Sequence, residues 1–550
     1  MKKNIYLFML SVICAGLIMG SCTKLKSKSY TDVVAADFVP TSDDIAALIG
    51  NSYGSWRSLY WERCGTVYWT IQEESGDAFV KACKPMGSFC TAPSLIMANH
   101  TFTADNGGGD PFLCTWTSAY EGITNCNRIL DQVETNQIPL DADTKAKLVS
   151  ELRVLRASYY FVLCDVFGNV PIVAKYDVPA GFLPAQNTRL EVYNFIVKEI
   201  TESLPDLSDD KNATTYGRFN NKGAANALLA KTYLNAGIWS GTPKWTECIA
   251  ACDAVISSAK YSLEPIQANC FKIKNENSVE SIFAIPFGTV NVGLRNMILL
   301  YSLPLEAKLT YDLQQGGWGG LVAIPQFINT FDAADKRLTD AWLQGPLKTS
   351  GGEQIFVARG DSIGKPFNIV NTVPSITHSE DMHGFRSIKY EVQTGSDPLQ
   401  IDNDVPLFRY AHILMMKAEC LMRLGQPGAG ALVTEVRMRS FADPAKAVVT
   451  DAQLLLTSSY DYGKRDTYPG SPYFGTTHET GTIQYGRFLD ELGWEFCAEA
   501  QRRTDMIRFG IYNSRSRLSY ATTGDNHTDL GPIPLLILNT NGNIKQNPGY

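Results

Sequence analysis

Gly223-Ala224-Ala225-Asn226-Ala227-Leu228-Leu229-Ala230-Lys231-Thr232-Tyr233-Leu234, followed after a short break by Trp245 to Ile256, is the stretch that decides the fold. The first half is made of strong helix formers and small residues, which predicts a flat, alanine-lined helix. The second half spaces Trp245, Cys248, Ile249, Cys252, Val255 and Ile256 along one helical stripe. Gly237, Gly241 and Pro243 break the backbone between them. A small-residue helix admits a close neighbour, and the bulkier helix folded back on it supplies side chains to fill the groove. One hairpin cannot bury both of its faces, so the rest of the chain has to provide more helices of the same kind.

Working outward, Leu229, Ala230 and Tyr233 approximate the L-G-x-x-Y part of a tetratricopeptide repeat. Further helices are predicted over 43–60, 116–135, 142–166, 190–204, 408–424, 430–440 and 488–509, several with apolar residues at helical spacing. Leu148, Leu152, Leu155, Tyr159, Val162 and Val166 mark one buried stripe, which stops at Phe167-Gly168-Asn169-Val170-Pro171. Residues 60–109 have weak periodicity and read as an unusually aromatic loop. From 261 to 405 the helical signal gives way to short β-like runs punctuated by Gly and Pro. The expected fold is therefore mainly α: tetratricopeptide-like helical repeats with an inserted irregular, loop-rich α/β lobe. Its divisions are a leader (1–21), a tether and N-terminal segment (22–40), an N-terminal helical part (41–260), an irregular ligand-side lobe (261–405) and a C-terminal helical part (406–550).

The 550 residues are 45% hydrophobic and 19% charged, with a formal net charge of −7, which argues for a large core and against a nucleic-acid surface. Lys2 and Lys3 precede an apolar run from Ile5 to Met19, short for a membrane span of roughly 20 residues and suited to a signal peptide. It ends Leu17-Ile18-Met19-Gly20-Ser21-Cys22, which resembles the lipobox of bacterial lipoproteins and implies cleavage before Cys22 and its acylation. The mature chain would then be anchored to a membrane and not threaded through it. Cys126, Cys164, Cys248, Cys252, Cys420 and Cys497 fall at apolar helical positions and are expected to be buried thiols. Cys64, Cys83, Cys90 and Cys114 lie in the loop-rich stretch of an exported chain, where disulfides can form in a pairing that spacing does not give.

An enzyme's equipment is not evident. The six histidines form no HExxH pair, and no GxxxxGK[ST] loop occurs. His378 and His383, beside Glu380 and Asp381, read as a solvated loop, so no metal and no cofactor is expected. Glu73, Glu74 and Asp77 could imitate a glycosidase pair, but carboxylate separation is not a property of sequence. Glu491, Glu495, Glu499, Arg502, Arg503, Asp505 and Arg508 read as ion pairs along one helix, with Glu499 facing Arg502 and Arg503. Arg409, Glu419, Arg437 and Arg439 are expected to tie adjacent repeats together.

Aromatic residues on loops carry the functional reading. A sugar ring presents an apolar C–H face to an indole or phenol, while its hydroxyls need polar partners at the rim. Trp61, Tyr68 and Trp69 with Glu74 and Asp77 supply that mixture, as does Trp318 set between Gly pairs beside Gln314 and Gln315. These are the candidate glycan-binding residues. Trp116, Trp239, Trp245 and Trp494 fall in or at the ends of helical patterns and are expected in the core.

Arg153 to Tyr160 with Phe167-Gly168-Asn169-Val170-Pro171, Arg218-Phe219 with Ala224 to Leu234, and Arg409-Tyr410-Ala411 to Glu419 with Val436-Arg437-Met438-Arg439 stand in one order along the chain. Glu491 to Gly510 and the ending Gln546 to Tyr550 follow them. Together they resemble the SusD/RagB family of outer-membrane lipoproteins nearly end to end; His412 stands where the family pattern has Glu. The resemblance implies tetratricopeptide-like helices, a surface-facing lipid anchor in the outer membrane, and a non-catalytic protein that caps a SusC-like TonB-dependent transporter and presents glycans to it. The alternative is a repeat-type adaptor for peptides or proteins at the cell envelope.

Overall fold

The computed structural model describes residues 41–60, 67–90, 92–211, 216–288 and 297–550. The leader, Cys22, the tether, Trp61 and Cys64 lie outside the described residues. The helices that organise the molecule are α1 (Ser42–Tyr60), α2 (Tyr68–Glu73), α3 (Pro111–Glu134), α4 (Ala142–Val166), α5 (Arg189–Ser203), α6 (Lys222–Leu234) and α7 (Trp245–Ser257). They are followed, after the irregular stretch, by α8 (Tyr410–Arg423), α9 (Ala429–Met438), α10 (Gly486–Phe496) and α11 (Arg502–Arg508). The packing follows the repeat logic: α1 lies on α3, α3 on α4, α4 on α5, α6 on α7, α7 on α8 and α8 on α9.

The hairpin α6–α7 behaves as its composition dictates. Asn221 caps α6 by accepting the Ala224 N–H at 2.9 Å. Ala224, Ala225, Ala227 and Ala230 are fully buried, and the Cys248 thiol of α7 reaches the Ala230 carbonyl at 3.2 Å. In α4 the predicted stripe is buried, and Ala157, Tyr160, Phe161 and Leu163 are buried as well, so beyond Val154 the helix runs through protein on every side. Cys126, Cys164, Cys248, Cys252, Cys420 and Cys497 are free and buried, as expected, and so is Cys270.

Distant segments are stitched by short strands. β1 (Phe79–Lys81) pairs antiparallel with β3 (Leu321–Ala323), and β2 (Ser281–Ile285) with β4 (Val405–Arg409). The stretch 67–109 is not the loop its weak periodicity suggests, since it holds α2, β1 and a helix over Ala92–Asn99. Periodicity is missing because α2 is buried all round and offers no polar face to alternate with.

The helix predicted over 488–509 is also divided. It breaks between α10 and α11, where Ala498 and Ala500 hold left-handed backbone at φ 66° and 59°. The break redirects the charges. Arg409 donates to Glu280 at 2.7 Å, Glu495 at 2.8 Å and Glu499 at 2.7 Å, while Arg439 donates to Glu495 at 2.7 Å. Glu499 therefore serves β4 and not Arg502 or Arg503; those two pair with Asp77 and Asp165. Burial alone would raise the Glu495 carboxyl, but Arg439, Arg409 and Arg337 outweigh it and hold it well below the carboxylate range. Arg508 ties α11 to Glu419 of α8 at 2.7 Å, and Arg437 ties α9 to Glu491 of α10 at 2.5 Å. These charges hold repeats together, as the sequence led us to expect, and none of them opens onto a cleft of reactive carboxylates.

Candidate functional site

The predicted aromatic cluster at 68–77 is inside the protein. Trp69 is 1% exposed, and its indole N–H donates to the Ala498 carbonyl at 3.1 Å. Tyr68 is buried and lines an internal cavity of about 30 Å³ with Trp56 of α1 and Ala500 of the segment between α10 and α11. Asp77 is fully buried, accepting from Arg502 Nε at 2.6 Å, from Arg502 Nη2 at 3.0 Å and from the Tyr462 hydroxyl at 2.8 Å. Glu74 is buried and takes the Lys81 ammonium at 2.8 Å. Four of the expected ligand residues, Tyr68, Trp69, Glu74 and Asp77, thus present no face to a ligand. The reason is electrostatic as much as apolar: Lys81 and Arg502 are buried with them, and each acid is spent on its cation. Trp61 lies outside the described residues.

The second predicted cluster stands at the surface. Gln314, Gln315 and Trp318 line a cleft of about 670 Å³ together with Ser88, Phe89, Leu305, Lys308 and Arg359. Trp318 is 43% exposed. Its backbone N–H is anchored on the Leu300 carbonyl at 2.6 Å, and its ring stands edge-on to Tyr301 with centroids 5.0 Å apart and planes at 87°. The glycines beside it are needed for close packing. A Cβ on Gly317 would overlap the Leu303 carbonyl, and one on Gly320 would overlap the Phe89 ring. Pressed against 303–305 in this way, the run leaves the indole standing outward.

Behind Trp318 the two predicted clusters meet. The Lys81 ammonium, held by Glu74, lies 4.4 Å from the centre of the Tyr301 ring, which in turn supports Trp318. Glu74 therefore stands one layer below the cleft. Burial pushes its carboxyl up, and Lys81 pulls it back.

Two walls escaped the sequence reading. Phe89 comes from a short loop closed by a Cys83–Cys90 disulfide, with Cα atoms 4.6 Å apart. Phe89 sits at φ 60°, a conformation that the closed loop and its seat on Gly320 hold in place. Cys114 is disulfide-bonded too. The signal for this wall was present, since a Cys pair in the aromatic stretch brackets the one Phe between them. Arg359 comes from a turn distant in sequence from Trp318; it grips Asp381 with two hydrogen bonds of 2.6 and 3.1 Å. On the other wall Gln315 donates to Asp397 at 2.6 Å and Gln314 to the Gly395 carbonyl at 3.2 Å, so both amides are oriented before any ligand arrives.

The cleft combines an exposed indole, a partly buried phenyl, oriented amides and a guanidinium. Such a surface can stack on an apolar ring face and hydrogen-bond the groups at that ring's edge. Among the described residues its lining holds no carboxylate, histidine or cysteine, and Asp381 and Asp397 stand behind it as partners of Arg359 and Gln315.

Comparison with known proteins agrees with the fold. Residues 79–234 match the family described as "Starch-binding associating with outer membrane", and residues 279–550 match the "SusD family". The starch-binding protein SusD of Bacteroides thetaiotaomicron is 24% identical over 468 residues, covering 78% of this chain and 76% of that protein. Among solved structures, a laminarin-binding SusD-like protein superposes with a TM-score of 0.67 at 21% identity, covering 92% of this chain and 99% of the other. A surface glycan-binding protein A from Bacteroides thetaiotaomicron, in complex with laminarihexaose, gives 0.66 at 18% identity over 92% of this chain and all of the other. The two family matches run from β1 to the last residue with one gap between them, and the chain belongs to the SusD/RagB family.

Proposed function

We propose that this protein is a non-catalytic glycan receptor of the outer membrane, which captures an oligosaccharide or polysaccharide on the Trp318 cleft and hands it to a SusC-like TonB-dependent transporter. The observation that carries the reading is the exposed Trp318 indole, backed by Tyr301 and flanked by Gln314, Gln315 and Arg359. A sugar's C–H face covers the indole, and its hydroxyls satisfy the amides and the guanidinium at the rim. The starch- and laminarin-binding names of the relatives point to the same ligand class. In this reading Cys22 carries the lipid that holds the protein at the membrane, facing the cell surface, and the energy for uptake belongs to the transporter.

Calorimetric titration with α- and β-glucan oligosaccharides, other glycans and peptides tests it. Heat with one glycan class and no release of reducing ends is the expected result. Binding of peptides alone would favour the adaptor reading, and turnover would make the protein an enzyme. Mass spectrometry of the membrane fraction should find an acylated N-terminal peptide beginning at Cys22, and Cys22→Ser should release the protein from the membrane. The transporter should co-purify from mild detergent extracts.

A further inference from the structure

Asp361, His378 and Glu380 converge outside the cleft's lining, each offering one ligand atom within 4.8 Å of the other two. Asp361 belongs to the turn that carries Arg359, and His378 and Glu380 belong to the segment that carries its partner Asp381. Glu380 is 8% exposed, yet its Oε2 has no hydrogen-bond partner. A buried carboxylate oxygen left so is costly, which points to a ligand at that atom. The nearby cations are engaged elsewhere. The Lys84 ammonium donates to Ser379 Oγ at 3.1 Å, the Glu380 carbonyl at 2.9 Å and the His383 carbonyl at 3.2 Å, and Arg359 is paired with Asp381.

The histidines divide their work. His383 Nδ1 accepts the Glu380 backbone N–H at 3.0 Å, which takes that nitrogen out of contention. The His378 ring lies flat on Tyr468, with centroids 4.1 Å apart and planes at 10°, so its orientation is set before any ligand arrives. Gly360, at φ +81°, lets the Asp361 turn approach, because a Cβ there would press on Glu380 Oε2 and Pro85.

We propose that Asp361, His378 and Glu380 bind one divalent transition-metal ion of the Zn²⁺ class, at the outer edge of the wall that presents Arg359 to the cleft. One imidazole nitrogen and two carboxylate oxygens suit Zn²⁺ and its neighbours, whereas Ca²⁺ and Mg²⁺ favour all-oxygen shells. Three protein ligands with Asp361 exposed leave room for water at the open side. The ion neutralises the buried Glu380 and ties the Arg359 turn to the 375–383 segment.

The test is titration of Zn²⁺ and of Ca²⁺ into the untagged, chelator-stripped protein, followed by calorimetry and thermal melting. The expected result is one Zn²⁺ per chain, a melting temperature that rises with Zn²⁺, and no comparable response to Ca²⁺. His378→Phe keeps the ring on Tyr468 and removes the nitrogen, and Asp361→Asn alters an exposed side chain. Each should weaken Zn²⁺ binding by at least about tenfold while the metal-free melt stays in place. Absence of Zn²⁺ binding, equal binding of Ca²⁺, or unchanged Zn²⁺ affinity in both variants would overturn the assignment.

Discussion

Residues 68–77 and 314–320 look alike as sequence and end in opposite places. Both offer Trp beside polar side chains and Gly; one is sealed under α11 and the other faces solvent. What separates them is the supply of partners from elsewhere in the chain. Arg502 and Lys81 meet Asp77 and Glu74, and the Ala498 carbonyl meets the Trp69 indole, so both acids and the indole N–H of the first cluster have partners inside the protein. Trp318 is held on one edge by Tyr301 and through its backbone by Leu300, and its side chain stays 43% exposed. An aromatic, acidic stretch signals a ligand site only where the fold has not already provided the ligand's substitutes.

The largest expected effect breaks the buried member of this pair. Asp77→Ala leaves the Arg502 guanidinium buried and without its carboxylate, and should cost on the order of 3–5 kcal/mol in denaturant unfolding. A cost near zero would mean that the cluster is not sealed.

Next comes pH. Burial raises the Glu73 carboxyl to about 7, with the Ala498 and Gln501 backbone N–H groups opposing the rise. A carboxyl raised in the folded state takes up a proton on folding between its unfolded value and 7. Its contribution is therefore favourable in acid, declines as pH rises from about 4.5 to 7, and is constant above. Glu73→Gln removes that dependence, so the variant should gain on the wild type by about 3 kcal/mol across this window, read from unfolding curves at several pH values. A difference that does not change with pH would contradict it.

A smaller effect is expected at the cleft wall. Replacing Cys83 and Cys90 by Ser opens a short loop, which should cost roughly 2 kcal/mol and weaken glycan binding by freeing Phe89. Smaller still is the effect of Trp318→Ala on stability, about 1 kcal/mol, because the ring is 43% exposed and rests on Tyr301 by one edge.

Much of the frame was legible because its signals are local. Alanine-lined α6, the stripe of α7 and the Gly–Pro stop after α4 rest on spacing within one segment. The break at Ala498 and Ala500 was not legible, because no Gly or Pro marks it and its left-handed backbone is held by Glu73, from a distant helix. The cleft was half legible for the same reason. Trp318, Gln314 and Gln315 are neighbours in sequence, while Phe89 and Arg359 arrive through a disulfide loop and a turn whose positions depend on β1 pairing with β3 and on Asp381. Tyr68, Trp69, Glu74 and Asp77 were misread because their partners Lys81, Ala498 and Arg502 cannot be assigned to them before the fold is known.

The most direct test of the account titrates wild type and Trp318→Ala with the glycan that the wild type binds best, after showing that both melt alike. The account predicts a loss on the order of 2 kcal/mol, roughly thirtyfold in Kd, for the variant. Equal affinity in the two proteins would contradict it.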